Sequence, residues 1–105
     1  MEHPNLNYIK QLSGGDIEFE KKIIEIIKNE FPKEKILYYQ NYKSKNFKFA
    51  AEIVHKLKHK ISILGLEKSY EISVTFENNL LDGNTSLNQD FEAILNTITA
   101  YLDKL

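Results

Sequence analysis

The side chains with the clearest chemical potential lie in one short stretch, Val54 to Leu66, which holds two of the three histidines. His55 is the central candidate, because a neutral imidazole is a competent nucleophile near neutral pH. Lys58 follows one helical turn later, where its ammonium group could lie beside a transferred phosphoryl group. The sequence contains no glycine-rich phosphate loop and no pattern typical of a base–nucleophile triad. These residues could therefore accept a phosphoryl group, but they could not activate a nucleotide.

Metal binding is the alternative chemistry for the same side chains. His55 and His59 are four residues apart, a spacing that can bind Zn²⁺ or Ni²⁺, and Glu52-x-x-His55 matches half of a di-iron bundle signature. That signature needs a second Glu-x-x-His from another helix, which this sequence lacks. We therefore expect no metal here, and we interpret Glu52 as a solvated carboxylate that could pair with Lys48, Lys56 or His55.

Composition limits the classes of partner. The 105 residues are 42% hydrophobic with a formal net charge of −1, which predicts one globular domain over residues 1–105. Every basic residue apart from histidine is lysine, so nucleic acid is an unfavoured partner. The sequence has no cysteine, no apolar run near the ~20 residues that span a bilayer, and no basic and apolar leader at its start. We expect a cytoplasmic protein without membrane insertion.

Hydrophobic periodicity predicts the elements that must position these residues. It indicates one short helix and four longer ones, over residues 5–12, 16–42, 47–64, 66–81 and 87–104. Short polar connections between helices make neighbours antiparallel. The expected fold is therefore all-α, an up-down antiparallel four-helix bundle preceded by a short N-terminal helix.

Four local features of these helices are open to test. Pro32 predicts a kink or a break in the second helix, and the helical pattern on both sides favours a kink. Residues 70–76 alternate like a strand, but a lone strand would leave its backbone groups unpaired, so we expect a helix there. Asp16 and Asn46 are predicted N-caps, and Ser86 with Gln89 has capping-box spacing.

Angular positions on the third helix predict which face each residue occupies. At ~100° per residue, the centre of the apolar stripe that includes Leu57, Ile61 and Leu64 lies ~160° from His55, so His55 should point outward. Lys56 and Lys60 are predicted to be solvated flanks. The residues predicted to share the face of His55 are Lys48, Ala51, Glu52, Lys58, His59 and Ser62.

The stretch around His55 resembles the acceptor motif of histidine-containing phosphotransfer (HPt) domains. That motif has a histidine, then a hydrophobic residue two positions later, a lysine three later, a glycine four later and a glycine about ten later. Four positions match in type and spacing, namely His55, Leu57, Lys58 and Gly65.

The resemblance extends over essentially the whole chain. Residues 5–16 are similar to the opening helix and turn of the family, and Phe76-Glu77 lies where the family often has a hydrophobic–glutamate pair. The resemblance implies the same order of five helices that periodicity predicts.

The resemblance implies a phosphorelay intermediate in two-component signal transduction. His55 would accept a phosphoryl group from a receiver-domain phospho-aspartate and pass it to another receiver aspartate, while Lys58 stabilises the added charge. The implied partners are response-regulator receiver domains, with a hybrid sensor histidine kinase as a further candidate. The chain itself would be a phosphocarrier and not an enzyme, without a cofactor of its own, because Mg²⁺ and most of the catalytic machinery would belong to the receiver.

One position departs from the family pattern. His59 replaces the usual glycine four residues after the acceptor, and it could crowd a docking receiver, hydrogen-bond the phosphoryl oxygens, or hydrogen-bond His55 and set its tautomer. We regard His59, Ser62 and Glu52 as candidate modulators of the site. His59 also motivates the competing prediction of a degenerate HPt-like module that binds a signalling partner without phosphotransfer. A helical bundle that serves only assembly is a third interpretation.

Overall fold

This computed structural model describes residues 2–105 of the chain, which form five α-helices and the connections between them. Their bounds are α1 Asn7–Ser13, α2 Ile17–Lys43, α3 Phe47–Ile63, α4 Glu67–Leu81 and α5 Asn88–Asp103. The all-α prediction is confirmed, and no strand occurs within the described residues. Within the same range, none of the helices has the length and apolar character that crossing a bilayer demands.

The helices surround one hydrophobic core with an aromatic centre. α2 packs against α3 and α5, α4 packs against α3 and α5, and α1 packs against α2. Tyr38 from α2, Phe76 from α4 and Phe91 from α5 are fully buried, and the ring centroids of Tyr38 and Phe76 each lie 5.1 Å from that of Phe91. The hydroxyl of Tyr38 donates to Asn88 Oδ1 over 2.8 Å, so the polar end of this core residue is satisfied.

The helical prediction for residues 66–81 is confirmed, since α4 occupies Glu67–Leu81. Ser73, Phe76 and Leu80 are buried at helical spacing. The hydroxyl of buried Ser73 donates to the carbonyl of Ser69 one turn earlier, over 2.8 Å. The polar group of this buried serine is thereby satisfied inside the helix.

The long helix α2 continues through Pro32, so the alternative of a break is wrong. The large apolar side chains of this helix are not all in the core. Ile27 and Phe31 are buried, whereas Phe19 and Ile26 are exposed. Phe19 and Ile26 are seven residues apart and form one stripe, and this stripe lies ~100° round the helix from Ile27, outside the face that the neighbouring helices cover.

The N-terminal caps of the helices agree with the sequence predictions only in part. Asp16 caps α2 as predicted, because its Oδ1 accepts from the backbone N–H groups of Glu18 and Phe19 at 3.1 and 3.2 Å. Asn46 occupies the N-cap position of α3 as predicted, although its side chain makes no capping hydrogen bond. The predicted Ser86–Gln89 capping box is wrong, because Leu87 is the N-cap of α5 and has no capping side chain.

The first backbone N–H groups of α4 are capped by a side chain from a distant part of the chain, because the N-cap residue Leu66 has no capping side chain. The carboxylate of Glu2 accepts from the backbone N–H groups of Lys68 and Ser69 at 2.7 and 2.9 Å, and from the Ser69 hydroxyl at 3.0 Å. Partial burial raises the pKa of Glu2, but these hydrogen bonds outweigh burial and hold the pKa below its ordinary value. A carboxylate at a helix N-terminus is also favoured by the helix dipole. The segment before α1 is thereby tied to the start of α4.

The prediction that Lys60 is a solvated flank of α3 is wrong, because this lysine is buried. Its position ~140° round the helix from His55 lies close to the apolar stripe of α3. The ammonium group lies 2.9 Å from Glu30 Oε1 and 3.1 Å from Glu34 Oε1, both on α2. Burial lowers the pKa of Lys60, but the hydrogen bonds and charges of the two glutamates outweigh it and raise the pKa above its ordinary value. Lys56, in contrast, is exposed as predicted.

Gly65 forms the connection between α3 and α4 at a point where a side chain would displace that of Asn5. Its φ of +79° lies in the left-handed region, and a Cβ atom there would come within 2.6 Å of Asn5 Nδ2. The backbone N–H of Asn5 also donates to the carbonyl of Leu64 over 2.8 Å. The glycine therefore lets the N-terminal segment lie directly against the α3–α4 turn.

We expect Gly65→Ala to lower the free energy of unfolding by about 1–2 kcal/mol for its left-handed backbone, with a further loss from displacement of Asn5. Gly83→Ala is the matched control, because Gly83 has φ +75° but open space around its Cβ position. Urea denaturation followed by circular dichroism measures both variants. Equal losses in the two variants would show that the contact with Asn5 does not matter.

Candidate functional site

His55 lies on the outer face of α3, as the angular positions predict. Its side chain is 53% exposed, whereas Leu57 and Ile61 on the opposite face are fully buried. The imidazole is therefore held on a rigid helix and is open to a partner molecule.

A carboxylate from the neighbouring helix joins this site. Glu77 on α4 places Oε2 3.1 Å from His55 Nδ1 and Oε1 2.9 Å from Lys58 Nζ. The Glu77 and Lys58 side chains are only 19% and 12% exposed. We refer to His55, Lys58 and Glu77 as the acceptor cluster.

The contact with Glu77 determines which nitrogen of His55 is free. An ionised carboxylate only accepts hydrogen bonds, so Nδ1 must carry the proton and donate it to Oε2. In the neutral imidazole, Nε2 then holds the lone pair. Nε2 has no hydrogen-bond partner among the described residues and is therefore the nucleophilic atom of the cluster.

Lys58 lies in the cluster, but its ammonium group pairs with Glu77. The contact between Lys58 Nζ and Glu77 Oε1 is an ion pair. Its angles do not meet those of a hydrogen bond, so the buried atom Oε1 accepts none. Lys58 balances the charge of a carboxylate that is largely removed from water. The Lys58 ammonium and the His55 N–H thus contact the two different oxygens of one carboxylate.

His59 contacts the ring of His55 edge-on. The two ring centroids are 5.0 Å apart and the ring planes are inclined by 88°. No hydrogen bond joins the two imidazoles among the described residues, and Glu77 occupies Nδ1 of His55. The prediction that His59 could hydrogen-bond His55 and set its tautomer is therefore wrong, because Glu77 makes that hydrogen bond.

An open groove of about 400 Å³ runs beside His55 between α3 and α4. Glu52 is exposed in this groove and forms no ion pair within the described part of the chain, so the suggested pairings with lysine or His55 are absent there. Ala51 was expected on the outer face, but it is buried because α4 covers that side of α3. The lining residues are Lys48, Ala51, Glu52, His55, Lys56, Glu77 and Leu81.

Ser62 lies away from this groove. It is exposed and lines a separate depression beside Asn5 and Gly65, near α1. The structure therefore brings together His55, Lys58 and His59, leaves Glu52 at the edge of the site, and does not bring Ser62 into contact with the acceptor cluster.

Glu77 is the site residue that the sequence reasoning did not assign. The Phe76-Glu77 pair was noted only as part of the family pattern. A register signal was present, since His55 lies ten residues before Gly65 and Glu77 lies twelve residues after it. Two helices that fold back on each other at Gly65 bring such positions to the same level.

The described residues contain no group of three or more histidine, aspartate or glutamate side chains arranged to hold a metal ion. No protein-family model, curated protein or solved structure matches this chain. The acceptor cluster and the sequence motif around His55 are therefore the features that bear on the function of this chain.

We expect Glu77→Ala to remove the hydrogen bond that holds the proton on Nδ1 of His55. The neutral ring should then also populate the tautomer protonated at Nε2. Long-range ¹H–¹⁵N correlation spectra of the imidazole measure the tautomer directly. Glu52→Ala is the matched control, because this carboxylate lies on the same face without an ion pair to the ring. An unchanged tautomer in Glu77→Ala would contradict the assigned role of Glu77.

Proposed function

We propose that this chain is a histidine phosphotransfer domain of a two-component phosphorelay, with His55 as the phosphoacceptor. The observation that carries the proposal is the exposed imidazole whose Nδ1 is held by Glu77 and whose Nε2 is free. The motif His55-x-Leu57-Lys58 with Gly65 supports the same function.

In the proposed reaction, Nε2 of His55 attacks the phosphorus of a receiver aspartyl phosphate. The N–P bond forms as the P–O bond to the aspartate breaks, and the aspartate carboxylate leaves with the electron pair. The imidazole becomes a phosphorylated imidazolium, whose positive charge the carboxylate of Glu77 stabilises through Nδ1–H. The reverse step delivers the phosphoryl group to a second receiver aspartate.

Lys58 has two tasks in this proposal. Before transfer its ammonium group pairs with the carboxylate of Glu77. After transfer the phosphoryl group adds about two negative charges to the site, and the flexible stem of Lys58 lets the ammonium group approach them.

The partners we propose are response-regulator receiver domains, with a hybrid sensor histidine kinase as a further candidate source of the phosphoryl group. The exposed side chains of Lys48, Lys56 and Leu81 around the groove offer a mixed charged and apolar contact surface. Mg²⁺ would be carried by the receiver, and the chain would act in the cytoplasm as a phosphocarrier and not as an enzyme.

We also propose that α2–α5 form an up-down antiparallel four-helix bundle, with α1 as the short preceding helix. The connections support this topology, since three residues join α2 to α3, three join α3 to α4, and six join α4 to α5. Connections this short make sequential helices antiparallel neighbours.

We expect His55→Gln to abolish phosphoryl transfer, because the amide lacks a nucleophilic nitrogen. Radiolabelled receiver domains from the same organism are mixed with wild-type protein and variants, and the label on this chain is followed with time. His3→Gln is the matched control, since it removes a histidine outside the acceptor cluster. If no receiver labels the wild type, or if His55→Gln is labelled equally, His55 is not a phosphoacceptor.

A degenerate module that binds a receiver without phosphotransfer is the second candidate function. The observation that favours it is the ring of His59, which lies edge-on to His55 on the face where a receiver would dock. A bulky ring there can hold the aspartyl phosphate away from Nε2 even though docking itself succeeds.

The variant His59→Gly separates the two functions. We expect the transfer rate to stay within about tenfold of wild type, about 1.4 kcal/mol in barrier height, if His55 is an active acceptor. Rapid-quench labelling measures the rate. A gain of about 100-fold or more would instead show that His59 obstructs transfer and would favour the degenerate module.

A further inference from the structure

The two histidines on the outer face of α3 form a pair whose nitrogens have no other partner, apart from Nδ1 of His55. His55 and His59 are four residues apart on one helix, and both side chains are exposed. Within the described residues, no hydrogen bond occupies His59 or Nε2 of His55. Three ring nitrogens, namely Nε2 of His55 and both nitrogens of His59, are therefore without a hydrogen-bond partner at one place on the exposed face.

The separation of the rings matches that of two imidazoles bound to one metal ion. With Zn–N distances of about 2.0–2.1 Å and a tetrahedral angle, the ring centroids of two ligating histidines lie about 5.2 Å apart. The centroids of His55 and His59 are 5.0 Å apart. The two rings now meet edge-on with their planes inclined by 88°, so shared coordination requires a rotation of the His59 side chain, which its exposure permits.

Glu77 prepares one of the two ligands. Metal-binding histidines usually donate the second ring N–H to a carboxylate, which fixes the tautomer and makes the ligating nitrogen more basic. Glu77 Oε2 accepts from Nδ1 of His55 in this way, at 3.1 Å. The charge of Lys58 is already paired with Glu77, and the exposed carboxylate of Glu52 lies one turn before His55.

We propose that His55 and His59 bind Zn²⁺ together, with Nε2 of His55 as one ligand, a nitrogen of His59 as the second, and water at the remaining positions. Two protein ligands are fewer than the four of a structural zinc site, so the ion is exchangeable and does not contribute to the fold. The proposal departs from the sequence expectation of no metal, because Glu77 adds a supporting carboxylate that the sequence reasoning did not assign. Imidazole ligands favour Zn²⁺ over the oxygen-seeking Mg²⁺.

Zinc and phosphoryl transfer would compete for one atom. Because Nε2 of His55 is the acceptor atom in the proposed function, a bound Zn²⁺ occupies its lone pair and blocks attack on an aspartyl phosphate. This consequence rests on the proposed function, whereas zinc binding itself does not. Removal of Zn²⁺ restores the acceptor without any change in fold.

Titration of ZnCl₂ into the full chain at neutral pH tests the site, with calorimetry for affinity and ¹H–¹⁵N spectra of the imidazoles for location. We expect one Zn²⁺ per chain, with shifts confined to His55 and His59. His59→Gly and His55→Gln should each weaken binding at least about tenfold, and Glu77→Ala should weaken it about 10- to 100-fold. His3→Gln is the matched control and should bind like wild type, and MgCl₂ should give no shift.

Equal zinc affinity in wild type and His59→Gly would overturn the proposal, as would loss of binding in His3→Gln. Circular dichroism of each variant checks that the helices are kept, which is expected because both histidines are exposed.

A second arm follows receiver-dependent labelling of the chain with and without Zn²⁺. We expect Zn²⁺ to stop labelling of wild type but not of His59→Gly, after correction for any effect on the receiver alone. Zinc binding without any labelling in metal-free protein would refute the phosphotransfer function and leave the metal site standing. Labelling without zinc binding would do the reverse.

Discussion

The burial of Phe76 against Tyr38 and Phe91 is the constraint on which the site depends. These three rings come from three different helices, and their contacts set the rotation of α4 about its own axis. Glu77 follows Phe76 directly and therefore lies ~100° round the helix, at the edge that faces α3. The carboxylate reaches His55 because the core holds its neighbour in place. A polar contact at the surface is thus positioned by apolar packing beneath it.

Helix α3 uses its lysines in three different ways, and the difference comes from what each one faces. Lys60 lies near the apolar stripe and is buried against Glu30 and Glu34 of α2. Lys58 is turned toward α4 and balances the charge of Glu77. Lys56 is exposed beside the groove. The partners of Lys60 lie on α2 and the partner of Lys58 lies on α4, so these three ion pairs connect α3 to both of its neighbouring helices.

The turn between α3 and α4 has its own support. The backbone of Asn5 bonds to Leu64, the side chain of Asn5 fills the space above Gly65, and Glu2 caps the start of α4. This turn holds the two helices that carry His55 and Glu77. Because the N-terminal segment stabilises the turn, residues far from the acceptor cluster contribute to its geometry.

The sequence by itself determined the five helices and the outward face of His55, because both follow from the periodicity of apolar residues along a single helix. The cap at Asp16 was likewise predictable, since its partners lie within three residues. The burial of Lys60, the cap from Glu2 and the pairing of Glu77 with His55 were decided only by the tertiary structure. Each joins residues on different segments, and their meeting depends on how whole helices pack and rotate against one another.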